Sequence, residues 1–216
     1  MQRIIAVFIA IGLFFAALFG FSKIENSEPD LPTPEKPVIY LYPIEPTVVE
    51  VTMETIGAEF TLTIPAYGDG WRVLAHPDGT LQNLADGKEY PYLFWESVDH
   101  GSWPYFNTGF LVARADLEEF LREKLTLLGL LPVEYEEYLE YWLPSLLPNE
   151  FTLIHFAGKI YDSTYPLTIT PEPDSLLRVH TVFKAATGRE GIAPQTLEPF
   201  ERHGFAVIEW GGTVLK

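Results

Sequence analysis

The sequence predicts an α+β domain: a largely antiparallel β-sheet or sandwich with an inserted two-helix hairpin, preceded by one N-terminal transmembrane or signal helix. Three observations carry this. Strand-length stretches with two-residue alternation occupy residues 38–97 and 151–210. A block with helical periodicity, 116–144, interrupts them. And a chain with 30 acidic against 14 basic side chains still has a positive mean hydropathy of +0.08.

The last point resolves at the N-terminus. Met1-Gln2-Arg3 is a short positive start, and Ile4 to Phe21 carry no charge. As a helix these 18 residues would reach about 27 Å, enough to cross the core of a bilayer. Without them the chain averages about −0.2, an ordinary value for a water-soluble protein. Residues 1–22 read as a retained single-pass anchor, or as a signal peptide cut near Gly20 and Ser22. Arg3 keeps the N-terminus inside and places the remainder outside the cytoplasm; the protein is secreted if the segment is cleaved. Residues 23–36 form a Pro/Glu-rich linker. Residues 37–216 form a single extracytoplasmic domain holding 11 basic and 26 acidic side chains, a net charge of −15.

Each element has its own justification. Val38 to Tyr42 is apolar on both faces and reads as an interior strand. Thr47–Glu54 and Ala58–Ile64 alternate apolar with polar across Gly57 and read as a hairpin with one wet face. Asp69-Gly70, Asp78-Gly79 and Asp86-Gly87 recur at strand length and read as turns, since the calcium-loop pattern is absent. In Lys88–Ser97, Tyr90, Tyr92 and Phe94 oppose Leu93 and Trp95, which makes this strand central. Asp116 reads as the N-cap of a helix with a Leu117, Phe120, Leu121, Leu125 and Leu128 stripe ending at Gly129. A second helix opens at Pro132 and stops at Pro144, with Tyr135, Tyr138, Leu139 and Trp142 inward and Glu134, Glu136, Glu137 and Glu140 outward. Strands resume at Phe151–Phe156, Pro166–Thr170, Leu176–Lys184 and Phe205–Trp210.

Composition excludes several functions. A net charge of −16 argues against nucleic acid and against a basic face on an anionic membrane. With no cysteine there is no thiol catalysis, no disulfide and no cysteine-ligated zinc. The five histidines form no metal-ligand spacing, and no nucleotide or nucleophile-elbow motif occurs, so neither a metal nor a cofactor is expected.

Two candidate sites remain. Glu96 and Glu209 each end an otherwise apolar strand face beside a tryptophan, where a carboxylate must be paired or shifted in pKa. Two carboxylates are what a glycosidase needs, one as acid and one as base or nucleophile. Arg178, set among apolar residues, offers the alternative of a structural ion pair with either. The second candidate is Val98–Gly109, loop-like in composition but carrying Trp103, Tyr105 and Phe106 with Asp99 and His100. Exposed aromatics stack on sugars or peptides; folded back, they would cap the core instead.

The phrases KPVIYLYP (36–43), YLFWE (92–96), YWLP (141–144) and the EWGG of GFAVIEWGG (204–212), with TGF at 108–110, resemble an uncharacterised family of bacterial secreted or membrane-anchored proteins that carry them in this order. The resemblance implies an extracytoplasmic globular domain and transfers no activity. The sequence thus supports a non-enzymatic, membrane-anchored binding or envelope-associated module, touching the membrane through its N-terminal helix and a cell-envelope polymer or protein through its domain. The alternative is a carboxylate-dependent hydrolase using Glu96 and Glu209.

Overall fold

The computed structural model describes residues 35–99 and 107–215. The N-terminal helix and most of the linker lie outside them. Among the described residues no helix is long and apolar enough to cross a membrane.

Among the described residues two sheets and three α-helices stack in layers. The strands are β1 (Glu35–Tyr42), β2 (Thr47–Met53), β3 (Ala58–Ile64), β4 (Trp71–Ala75), β5 (Leu81–Asn83), β6 (Glu89–Tyr90), β7 (Leu93–Asp99), β8 (Thr108–Ala113), β9 (Phe151–Phe156), β10 (Leu167–Thr170), β11 (Ser175–Ala186), β12 (Ala193–Pro194) and β13 (Ala206–Leu215). The helices are α1 (Leu117–Leu127), α2 (Pro132–Leu146) and α3 (Gly158–Thr164). An eight-stranded sheet runs β12-β8-β9-β11-β13-β1-β7-β3, and a five-stranded sheet runs β10-β2-β4-β5-β6.

The large sheet is apolar on both faces, as its central strands require. On one face Val38, Tyr40, Phe94, Phe183, Ile208 and Trp210 pack with Leu117, Leu121, Leu125, Tyr138, Leu139 and Trp142 of the helical hairpin. On the other, Ile39, Leu41, Leu93, Trp95 and Val207 pack with Val49, Val51, Trp71 and Val73 of the small sheet, with Tyr161 of α3 and with Tyr165 just after it.

The α+β class, the interior strand β1 and the helical hairpin agree with the sequence reading. Several finer expectations do not. The sheet is mixed, because β11 lies parallel to β13 and β12 parallel to β8. Thr47–Glu54 and Ala58–Ile64 do not form a hairpin: β2 pairs β10 and β4, while β3 pairs β7. β2 gives Val49, Val51 and Met53 to the small-sheet core, whereas β3 gives Ala58 and Phe60 to that core and Leu62 and Ile64 to the helix-side core, so the link at Gly57 passes from one sheet to the other. Asp116 makes no side-chain cap bond. Pro144 sits inside α2, which runs on to Leu146; a proline in a last turn removes only one bond. Glu134 points inward with 0% exposure, where its Oε2 accepts the Leu131 amide at 2.8 Å and Arg202 pairs with it. The Asp-Gly pairs do make turns: Gly70, Gly79 and Gly87 all have positive φ, which glycine adopts without strain.

Candidate functional site: the Glu209–Arg178 cluster and its groove

The parallel register of β11 and β13 sets Arg178 directly opposite Glu209. Both side chains point to the small-sheet face, as does Trp95. Glu209 has 0% exposure and its oxygens are well supplied with donors. Its Oε1 accepts the Tyr161 hydroxyl at 2.8 Å and the Trp95 indole N–H at 3.1 Å. Its Oε2 accepts the Arg178 Nε–H at 2.5 Å. Arg178 also donates from Nη1 to the Tyr165 carbonyl at 2.8 Å and to Asp162 Oδ1 at 3.2 Å. The guanidinium stacks on the Tyr161 ring, 4.6 Å from its centroid. Two carboxylates against one guanidinium leave the cluster with a net charge of −1.

Burial sets the titration of these groups. Burial works against the charge on Arg178, but Glu209, Tyr161 and Asp162 together outweigh it and hold the guanidinium protonated above its ordinary range. Tyr161 is raised well above an ordinary phenol by burial first and by the Glu209 charge second. Asp162 is raised by burial against the opposing pull of Arg178. His180, two residues along β11, stacks on Tyr161 with centroids 4.3 Å apart and shares a hydrogen bond with Thr213 Oγ1 at 2.9 Å. Burial, and then the Arg178 charge, lower its pKa to about 3, so it is neutral in the folded protein.

One donor group is left over. Arg178 Nη2 is buried and has no hydrogen-bond partner, although the side chain as a whole is only 7% exposed. An unpaired buried N–H costs on the order of 1–3 kcal/mol. Arg178 also forms part of the wall of a groove of about 340 Å³, completed by Asp162, Pro166, Leu167 and Leu176.

The other expected pairing is not made. Phe94 belongs to the helix-side core and Trp95 to the small-sheet core, so Glu96 turns to the helix side, opposite Leu62. Glu96 and Glu209 thus lie on opposite faces of one sheet and cannot flank a common bond. Arg178 serves Glu209. Of the aromatic candidate loop, Asp99 closes β7 with its backbone opposite Ala58, and His100, Trp103, Tyr105 and Phe106 lie outside the described residues. Asn107, next in the chain, lines a cleft of about 260 Å³ with Leu153, Lys184, Glu190, Ile192 and Leu215. Among the described residues no group of acidic or histidine side chains is placed to hold a metal ion.

Sequence reading missed α3, which supplies Tyr161 and Asp162 and ends at Tyr165 as its C-cap. The available signal was the spacing of two tyrosines four residues apart, one helical turn. No family model, no curated protein and no solved structure matches the chain.

Proposed function

We propose that this is a non-enzymatic, membrane-anchored extracytoplasmic module that binds a polymer of the cell envelope. The observation that carries the reading is the state of Glu209. A carboxylate with no exposure, accepting from an indole, a phenol and a guanidinium, holds a fold together; a general acid or base must reach its substrate. With Glu96 on the far face, the hydrolase alternative loses its second carboxylate. The uncharged segment 4–21, the proline-rich linker and the resemblance to secreted and anchored bacterial proteins support the location.

The test is co-sedimentation of the full chain, purified in mild detergent, with isolated cell-wall sacculi, followed by assay of the supernatant for released sugar. Retention without release is expected. Release of reducing ends would return the hydrolase. Retention on envelope protein after the polymer is digested away would make the partner a protein.

A further inference from the structure

The groove beside α3 combines three features that point to one ligand chemistry. Its wall includes Arg178, whose guanidinium is held in place by Glu209 and the Tyr165 carbonyl. Its rim carries Asp162, whose side chain is half exposed and whose Oδ1 lies 3.2 Å from Arg178 Nη1. The rest is apolar: Pro166, Leu167 and Leu176, the last 40% exposed.

Charge narrows the choice. Asp162 and Glu209 already outnumber Arg178, so an added anion meets net repulsion, in a chain that is −16 overall. A small cation would face the guanidinium itself. A neutral ligand remains, and it must offer an acceptor to Arg178 and a donor to Asp162 within about one hydrogen-bond length. The N–H and C=O of a trans peptide point in opposite directions, so a backbone amide satisfies one partner and turns its other group away. A hydroxyl donates and accepts from the same atom, and two neighbouring hydroxyls on a ring do both at this spacing. The C–H face of such a ring then lies on Leu167 and Leu176. The volume, about 340 Å³, falls at the small end of ligand-binding clefts.

We infer that the Asp162–Arg178 groove is a saccharide-binding subsite, in which vicinal hydroxyls of a neutral sugar bridge the carboxylate and the guanidinium. This deepens the proposed binding function and rests on it.

The experiment is titration calorimetry of the full chain in detergent against cellotetraose, chitotetraose, maltotetraose and mannotetraose. Sodium acetate, sodium phosphate and a tetra-asparagine peptide serve as competitors. Arg178 is part of the core, so the variants are Asp162→Ala at the rim and Leu176→Glu in the wall. Saturable binding of at least one tetrasaccharide is expected, weakened about tenfold or more by either variant, with unchanged melting temperature. Retention on sacculi with no tetrasaccharide bound overturns the saccharide subsite and leaves the module reading intact. Tetrasaccharide binding untouched by both variants overturns the groove as its place. Displacement by acetate, phosphate or the peptide overturns the neutral-hydroxyl chemistry. Failure to bind either sacculi or tetrasaccharides overturns both readings.

Discussion

Replacing Glu209 with glutamine keeps the side-chain shape and removes one charge. The consequences can be worked from the contacts. The carboxylate accepts on both oxygens: Trp95 and Tyr161 at Oε1, Arg178 at Oε2. An amide has one acceptor end. Facing that end to Trp95 and Tyr161 sets its NH₂ against the Arg178 Nε–H; reversing it sets the NH₂ against the indole N–H. In either orientation Arg178, 7% exposed, keeps only the half-exposed Asp162 as a counter-charge. Breaking a buried pair from one side costs about 3–5 kcal/mol. At about 2–4 °C per kcal/mol for a domain of this size, the melting temperature should fall by about 6–20 °C. The assay is thermal and urea unfolding at pH 7 followed by tryptophan fluorescence, which Trp95 reports from beside the mutated group. The companion variant Arg178→Met/Glu209→Leu removes both charges and should be less destabilised than Glu209→Gln alone. A Glu209→Gln protein within about 1 kcal/mol of the original, or a double variant worse than the single, would refute the account of an ion pair that anchors α3 to the sheet.

Three further predictions concern other parts of the fold. His180 has a depressed folded pKa, about 3 against an ordinary 6.5, so it contributes no pH dependence above 6.5, where both folded and unfolded states are neutral. As pH falls through that window the unfolded chain takes up the proton first, and stability drops by about 1.4 kcal/mol per pH unit. His180→Phe should therefore show a shallower loss of urea midpoint between about pH 6.5 and pH 4.5; equal slopes would contradict this. Arg202→Ala takes the counter-charge from the buried Glu134 and the guanidinium donors from the Gly129 carbonyl and should cost about 3 kcal/mol or more, while Arg122→Ala, among exposed glutamates, should cost under about 1 kcal/mol by the same denaturation assay. Gly212→Ala would set a methyl group 2.6 Å from the Trp142 ring and 2.8 Å from the Thr181 carbonyl, forcing α2 off the sheet, and should lower stability by about 1–3 kcal/mol on calorimetry.

Local pattern was readable where one residue type decides. The apolar run of β1, the glycine turns and the helical stripes follow from periodicity, and each lies where the sequence put it. Pairing was less readable. Nothing in Thr47–Ile64 distinguishes two strands of one sheet from a corner joining two sheets, because both arrangements bury Val49 and Val51 and partly cover Leu62. The same holds for Glu134: its neighbours Glu136, Glu137 and Glu140 share its charge, and only Arg202, 68 residues away, makes its burial tolerable. In the candidate site, strand alternation placed Glu209 with Phe205 and Val207 and placed Arg178 on a strand face. It could not give the parallel register that joins them, nor Asp162 from a short helix with no strong amphipathic signal.

The position of β13 has a consequence for how the chain must come together. It lies between β11 and β1 in the middle of the large sheet, yet follows both in sequence. It holds β11 over ten residue pairs and β1 along nearly its whole length. Until it arrives, β1 and β11 each present an open row of backbone amides flanked by apolar surface, the kind of edge that recruits foreign strands. Neither half can close on its own, and the last contacts made are among the most distant in sequence, which slows folding. Assembly therefore ends at the centre of the molecule instead of its periphery. The two parts of the large sheet are joined only once residues 206–215 are in place.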